Sequence, residues 1–141
     1  MSRNALFPAA LAFALAAGPA FAQALMFKGD LTGGAENPPT MSKGLGSIEV
    51  TLDPSTRKIT WKGEFKGLES AETGAHFHGP AQPGENAGPV VGAPAKKGVF
   101  EGSATLDAKQ VKDLEDGKWY FNVHTSKHPD GELRGQLLRV R

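Results

Sequence analysis

The chain of 141 residues contains no cysteine. That excludes a disulfide-stapled fold, thiolate metal sites and thiol nucleophiles at once. Charge of one sign is also missing, with 16 Lys and Arg against 15 Asp and Glu. A near-neutral chain with interspersed signs carries no electrostatic footprint for nucleic acid or an anionic membrane. Apolar runs are short, and none approaches the roughly 20 residues of a membrane-spanning helix, so no membrane insertion is expected. Histidine is scarce: there are 4 in the whole chain. Their placement carries the most chemical information in the sequence.

Residues 1–22 read as a secretory leader. Arg3 gives the positive start, a short Ala-, Leu- and Phe-rich run follows, and Gly18-Pro19 breaks it before Ala20-Phe21-Ala22. This is the small-x-small pattern of a cleavage site ahead of Gln23. Removing 22 residues from 141 leaves 119, the size of one domain. The expected location is periplasmic or secreted. No cysteine is available there for a lipid anchor or a disulfide, so packing, with or without a metal, must hold the fold.

From residue 23 onward Gly and Pro punctuate short alternating segments, the pattern of an all-β sandwich or barrel. Strands are expected over 24–30, 45–52, 57–65, 74–78, 98–106, 119–124 and 132–140. In the second, Ile48, Val50 and Leu52 share one face. In the third, Ile59, Trp61 and Phe65 do the same, and Asp53-Pro54-Ser55-Thr56 between them is a turn by composition. One short helix is expected over 107–115. Thr105 or Asp107 is its cap, Val111 and Leu114 its buried face, and Gly117 its stop.

The histidines fall in Ala75-His76-Phe77-His78-Gly79-Pro80 and Asn122-Val123-His124-Thr125-Ser126-Lys127-His128. Strand alternation sends His76 and His78 to one face and Ala75 and Phe77 to the other. In the later strand, Tyr120, Asn122 and His124 form a polar set opposite Trp119, Phe121 and Val123. Two strands showing histidines on their polar faces near their ends can bring three imidazoles together. His128, four residues on, is a fourth ligand or gate. Nitrogen ligands without thiolate suit Cu(II) or Zn(II), with copper ahead by the usual affinity order. The alternative is a set of hydrogen-bonded scaffold histidines in a structural or protein-binding module without metal.

Other chemistry finds little support. Glu64, Glu69 and Glu72 are scattered, and no serine sits in a nucleophile elbow. Gly29, Gly33, Gly34, Gly44 and Gly46 follow no phosphate-loop spacing. Glu132 and Arg134 share a face of the last strand and suit a cross-strand ion pair or a contact behind a histidine. Asp130 beside Gly131 reads as a turn.

Several phrases together resemble the CHRD domain, the module named after its repeats in chordin. They are Leu31-Thr32-Gly33, Glu36-Asn37-Pro38-Pro39, the His76-x-His78 segment, Gly117-Lys118-Trp119-Tyr120-Phe121-Asn122-Val123-His124-Thr125, and Pro129-Asp130-Gly131-Glu132-Leu133-Arg134-Gly135-Gln136. The resemblance implies one immunoglobulin-like, Greek-key antiparallel sandwich over residues 23–141, of seven or eight strands. It places His76, His78 and His124 on positions where the family pattern usually has histidine, and His128 on a more variable one. The His-x-His strand is also similar to the copper strand of copper-zinc superoxide dismutases. That analogy extends the metal reading to a dismutase-like enzyme in which Arg134 attracts the anion. The bridging histidine and zinc-loop ligands of those enzymes have no counterpart in the sequence.

Overall fold

The computed structural model describes Ala10, Ala12 and residues 23–141, so the expected leader lies almost wholly outside the described residues. Nine strands form one antiparallel sheet: β1 Leu25–Thr32, β2 Leu45–Asp53, β3 Lys58–Lys66, β4 Glu72–His78, β5 Pro89–Gly92, β6 Val99–Thr105, β7 Tyr120–Thr125, β8 Leu133–Gln136 and β9 Leu138–Arg139. Their order is β5-β4-β7-β8-β1-β2-β3-β6, with β9 on β1. The β1–β2 and β2–β3 pairs are long and regular, whereas β1 meets β8 only at Thr32 and Arg134. The sheet nearly closes on itself.

All-β antiparallel architecture with one helix is what the sequence led us to expect. The strands form one continuous, nearly closed sheet in place of the two separate sheets expected. Two elements differ in detail. β5 lies inside a stretch read as loop, and the last expected strand is two, because Leu137 leaves the ladder and its N–H bonds the Trp119 carbonyl.

Alternation supplies the core. Phe27, Leu31, Ile48, Val50, Leu52 and Ile59 are buried from one half of the sheet, and Ala75, Phe77, Phe121, Val123 and Leu133 from the other. The halves meet through aromatic edges, Trp61 on Phe77 at 5.2 Å and Phe100 on Phe121 at 4.8 Å between centroids. Each such side chain contributes about 1.5–3 kcal/mol on full burial. The helix, α1 Ala108–Glu115, begins at a reciprocal cap: Gln110 N–H donates to the Asp107 carboxylate while Asp107 N–H donates to the Gln110 side chain. It ends ahead of Gly117, whose φ of +73° suits glycine. Among the described residues no helix is long and apolar enough to cross a membrane.

β7 is buried along nearly its whole length on both faces. Phe121 and Val123 enter the core. The opposite face, carrying Tyr120, Asn122 and His124, meets residues 36–38, 86–87 and 129–131. Loops, rather than a second sheet, give this polar face its low exposure.

Candidate metal centre

β4 and β7 run side by side, with His76 opposite Asn122, His78 opposite Tyr120 and Gly74 opposite His124. Parity then does what alternation predicts: His76, His78 and His124 converge. Their ring centroids are 5.2 to 6.0 Å apart, and one ligand nitrogen from each lies within 4.8 Å of the others.

Which nitrogens are free follows from their partners. His78 Nδ1 is 2.8 Å from the Ala87 carbonyl, and His124 Nδ1 is 2.9 Å from the Pro129 carbonyl. A carbonyl can only accept, so Nδ1 carries the hydrogen in each ring and Nε2 presents its lone pair whenever the ring is neutral. His78 Nε2, His124 Nε2 and His76 Nδ1 are all buried without a hydrogen-bond partner. Burial, reinforced by the neighbouring His124, holds the His76 pKa below its ordinary value. Burial also lowers that of His78, against the pull of the Ala87 carbonyl. A buried polar atom left unpaired costs about 1–3 kcal/mol. Three in one place, all nitrogen donors of neutral imidazole, match what a Cu(II) or Zn(II) ion takes.

His128 does not join them. Its Nε2 lies 2.8 Å from Glu69 Oε2, which also takes Lys127 Nζ at 2.8 Å. With Glu69 and Glu132 it forms a separate cluster beside a cleft of about 490 Å³. Glu132 is fully buried and accepts from the Ser42 hydroxyl at 2.7 Å, the Thr125 hydroxyl at 2.9 Å and the Glu69 N–H at 3.0 Å. Among the described residues neither Glu132 nor Arg134 makes the cross-strand ion pair expected of them. The Arg134 guanidinium is buried, donating to Asn86 Oδ1 at 3.1 Å and the Gln82 carbonyl at 3.3 Å, with its carbon 3.5 Å from the Tyr120 ring centre. It is not presented to solvent.

Sequence reasoning missed Glu36. Its side chain is 6 % exposed, its Oε1 has no partner, and desolvation raises its pKa to about 7 against the opposing pull of Arg134. Glu36 and Asn122 pack under Gly131, where a Cβ would collide with Glu36 Oε1 and come within 2.7 Å of Asn122 Nδ2. The turn read at Asp130-Gly131 therefore also makes room for a polar pair. Asn122 shares the parity of His124, a signal that could have found it; nothing in Glu36-Asn37-Pro38-Pro39 marks Glu36 as buried. Together with His78, Asn86 and Tyr120 these residues line a cleft of about 290 Å³.

Residues 27–137 match the family profile of the CHRD domain. The chain belongs to the CHRD-domain family. The match spans the three converging histidines and everything that surrounds them, from Glu36 to Arg134. Neither a search of curated proteins nor one of solved structures gave a match. In this CHRD domain, the motif phrases that are far apart in sequence meet on one side of β7. The Glu36 loop, the His-x-His strand, the β7 strand and the Pro129-to-Gln136 segment each contribute side chains to one polar neighbourhood.

Proposed function

We propose that this CHRD protein is an exported metal-binding protein that takes up one Cu(II) or Zn(II) ion on His76, His78 and His124, copper ahead of zinc. The observation that carries the reading is the trio of buried, unpartnered ring nitrogens. Two of those rings are oriented by backbone carbonyls at their far nitrogen, the arrangement by which proteins fix the tautomer of a histidine ligand. Lowered pKa values at His76 and His78 keep both rings neutral, the form that binds metal. Bound copper would supply one-electron chemistry, for which superoxide dismutation is the reaction to assay. Export rests on the charged start, short apolar run and Ala-x-Ala site of residues 1–22.

The experiment is metal analysis of purified residues 23–141 after loading and exhaustive dialysis. One copper or zinc per chain supports the reading; a chain that keeps neither refutes it. Superoxide decay no faster than with buffer-bound copper would make the metal cargo. Intact-mass measurement of exported protein should show Gln23 as the first residue, and retention of the apolar segment would refute cleavage there.

A further inference from the structure

Arg134 occupies an unusual position for a cation. It is 1 % exposed, and no carboxylate lies within ion-pair distance of it among the described residues. Its guanidinium carbon sits 3.5 Å from the centre of the Tyr120 ring. Tyr120 in turn stacks on His78, centroids 4.8 Å apart and planes 6° from parallel. β4 and β8 are the two neighbours of β7. His78 and Arg134 thus approach Tyr120 from opposite flanking strands.

A second route joins the same residues. Arg134 holds Asn86 Oδ1 and the Gln82 carbonyl, both in residues 79–88, the connection from β4 to β5. Asn86 also donates to the Asn37 carbonyl at 2.9 Å. The next residue, Ala87, receives the His78 Nδ1–H at 2.8 Å and the Tyr120 O–H at 3.0 Å on one carbonyl. The atom that sets the His78 tautomer is therefore one residue from the side chain Arg134 grips.

We infer that Arg134 is a positioning residue: through the Tyr120 stack and the Asn86–Ala87 segment it fixes the ring plane and tautomer of His78. Only a planar, multidentate donor can lie flat on an aromatic face and hold two loop oxygens together, which lysine cannot reproduce. The role differs from the anion attraction expected from sequence, because the charge points into the protein. The consequence for metal affinity rests on the metal-binding reading; the consequence for His78 itself does not.

The test uses ¹⁵N-labelled residues 23–141 without metal, reading the His78 ring by long-range proton–nitrogen correlation. Wild type should show a single Nδ1–H tautomer. Arg134→Lys should show a mixture, and Asn86→Ala, which keeps the Arg134 guanidinium on Tyr120 and on the Gln82 carbonyl, should shift the same way by less. Copper affinity, read by chelator competition, should fall about tenfold or more in Arg134→Lys, the range seen when the residue behind a metal ligand is replaced. A His78 ring unchanged in both variants overturns the inference, even if their melting temperatures drop. A wild type that binds no copper while the tautomer still shifts refutes the metal reading alone.

Discussion

His76, His78 and His124 form one cluster of this protein, and Glu69, His128 and Glu132 form another, each with candidate ligand atoms within 4.8 Å of one another. Proximity does not distinguish them; saturation does. In the second cluster, Glu69 is paired with both Lys127 and His128, and the Glu132 carboxylate accepts from two hydroxyls and an amide. The loop before β4 is thereby clipped to the loop after β7, and no buried side-chain atom of this cluster is left without a partner. In the first cluster, three buried nitrogens have none. The first cluster keeps open donor atoms, whereas the second spends its own on holding the chain together.

Substitutions can separate the two. Removing any one ring of the first cluster should cost most: His78→Ala or His124→Ala should weaken copper binding at least a hundredfold in chelator competition, with the fold retained by circular dichroism. Equal affinity in either variant would erase the distinction. In the second cluster the large effect should be on stability. Glu132→Ala strands the Ser42 and Thr125 hydroxyls and the Glu69 N–H. Urea unfolding should show a loss of about 3 kcal/mol, since each buried donor left unpaired costs roughly 1–3 kcal/mol.

Glu36 gives a smaller effect with a defined sign. Its pKa is raised from 4.5 to about 7. Its contribution to stability is fully present below pH 4.5 and is lost as pH rises through 7. Glu36→Gln should therefore unfold at a higher temperature than wild type at pH 8, by up to about 3 kcal/mol in stability, and match it at pH 4.5. An advantage equal at both pH values would mean that ionisation is not the cause. The three converging histidines run the other way. Because imidazole binds metal only when neutral, affinity should fall on acidification, and burial that holds His76 and His78 below their usual range should make protons poorer competitors at those two rings than at a free imidazole. Affinity that does not fall on acidification would contradict binding through imidazole. The smallest effect belongs to His128→Ala, which should change copper affinity less than threefold because its ring sits in the saturated cluster.

The same contrast explains what the sequence could and could not reveal. Alternation in a strand is a rigid rule, so the shared face of His76 and His78, and of Tyr120, Asn122 and His124, could be read before any coordinates existed. His128 lies beyond the end of β7, where residues 126–131 turn under control of contacts to Ser70 and Ala71 that no local pattern encodes. β5 escaped because only Val90 and Val91 stand between Pro89 and Gly92, too few for a period. Glu36 is buried by loops that come from three parts of the chain. Its environment is a tertiary fact, and its tetrapeptide holds no trace of it.

The most direct measurement is a copper titration of metal-free residues 23–141 by calorimetry, run in parallel on wild type, His78→Ala and His128→Ala. A single site in wild type, lost in His78→Ala and kept in His128→Ala, is the outcome that follows from three unpartnered nitrogens beside a saturated cluster. Equal binding by all three proteins, or loss on removing His128 with His78 dispensable, would contradict it.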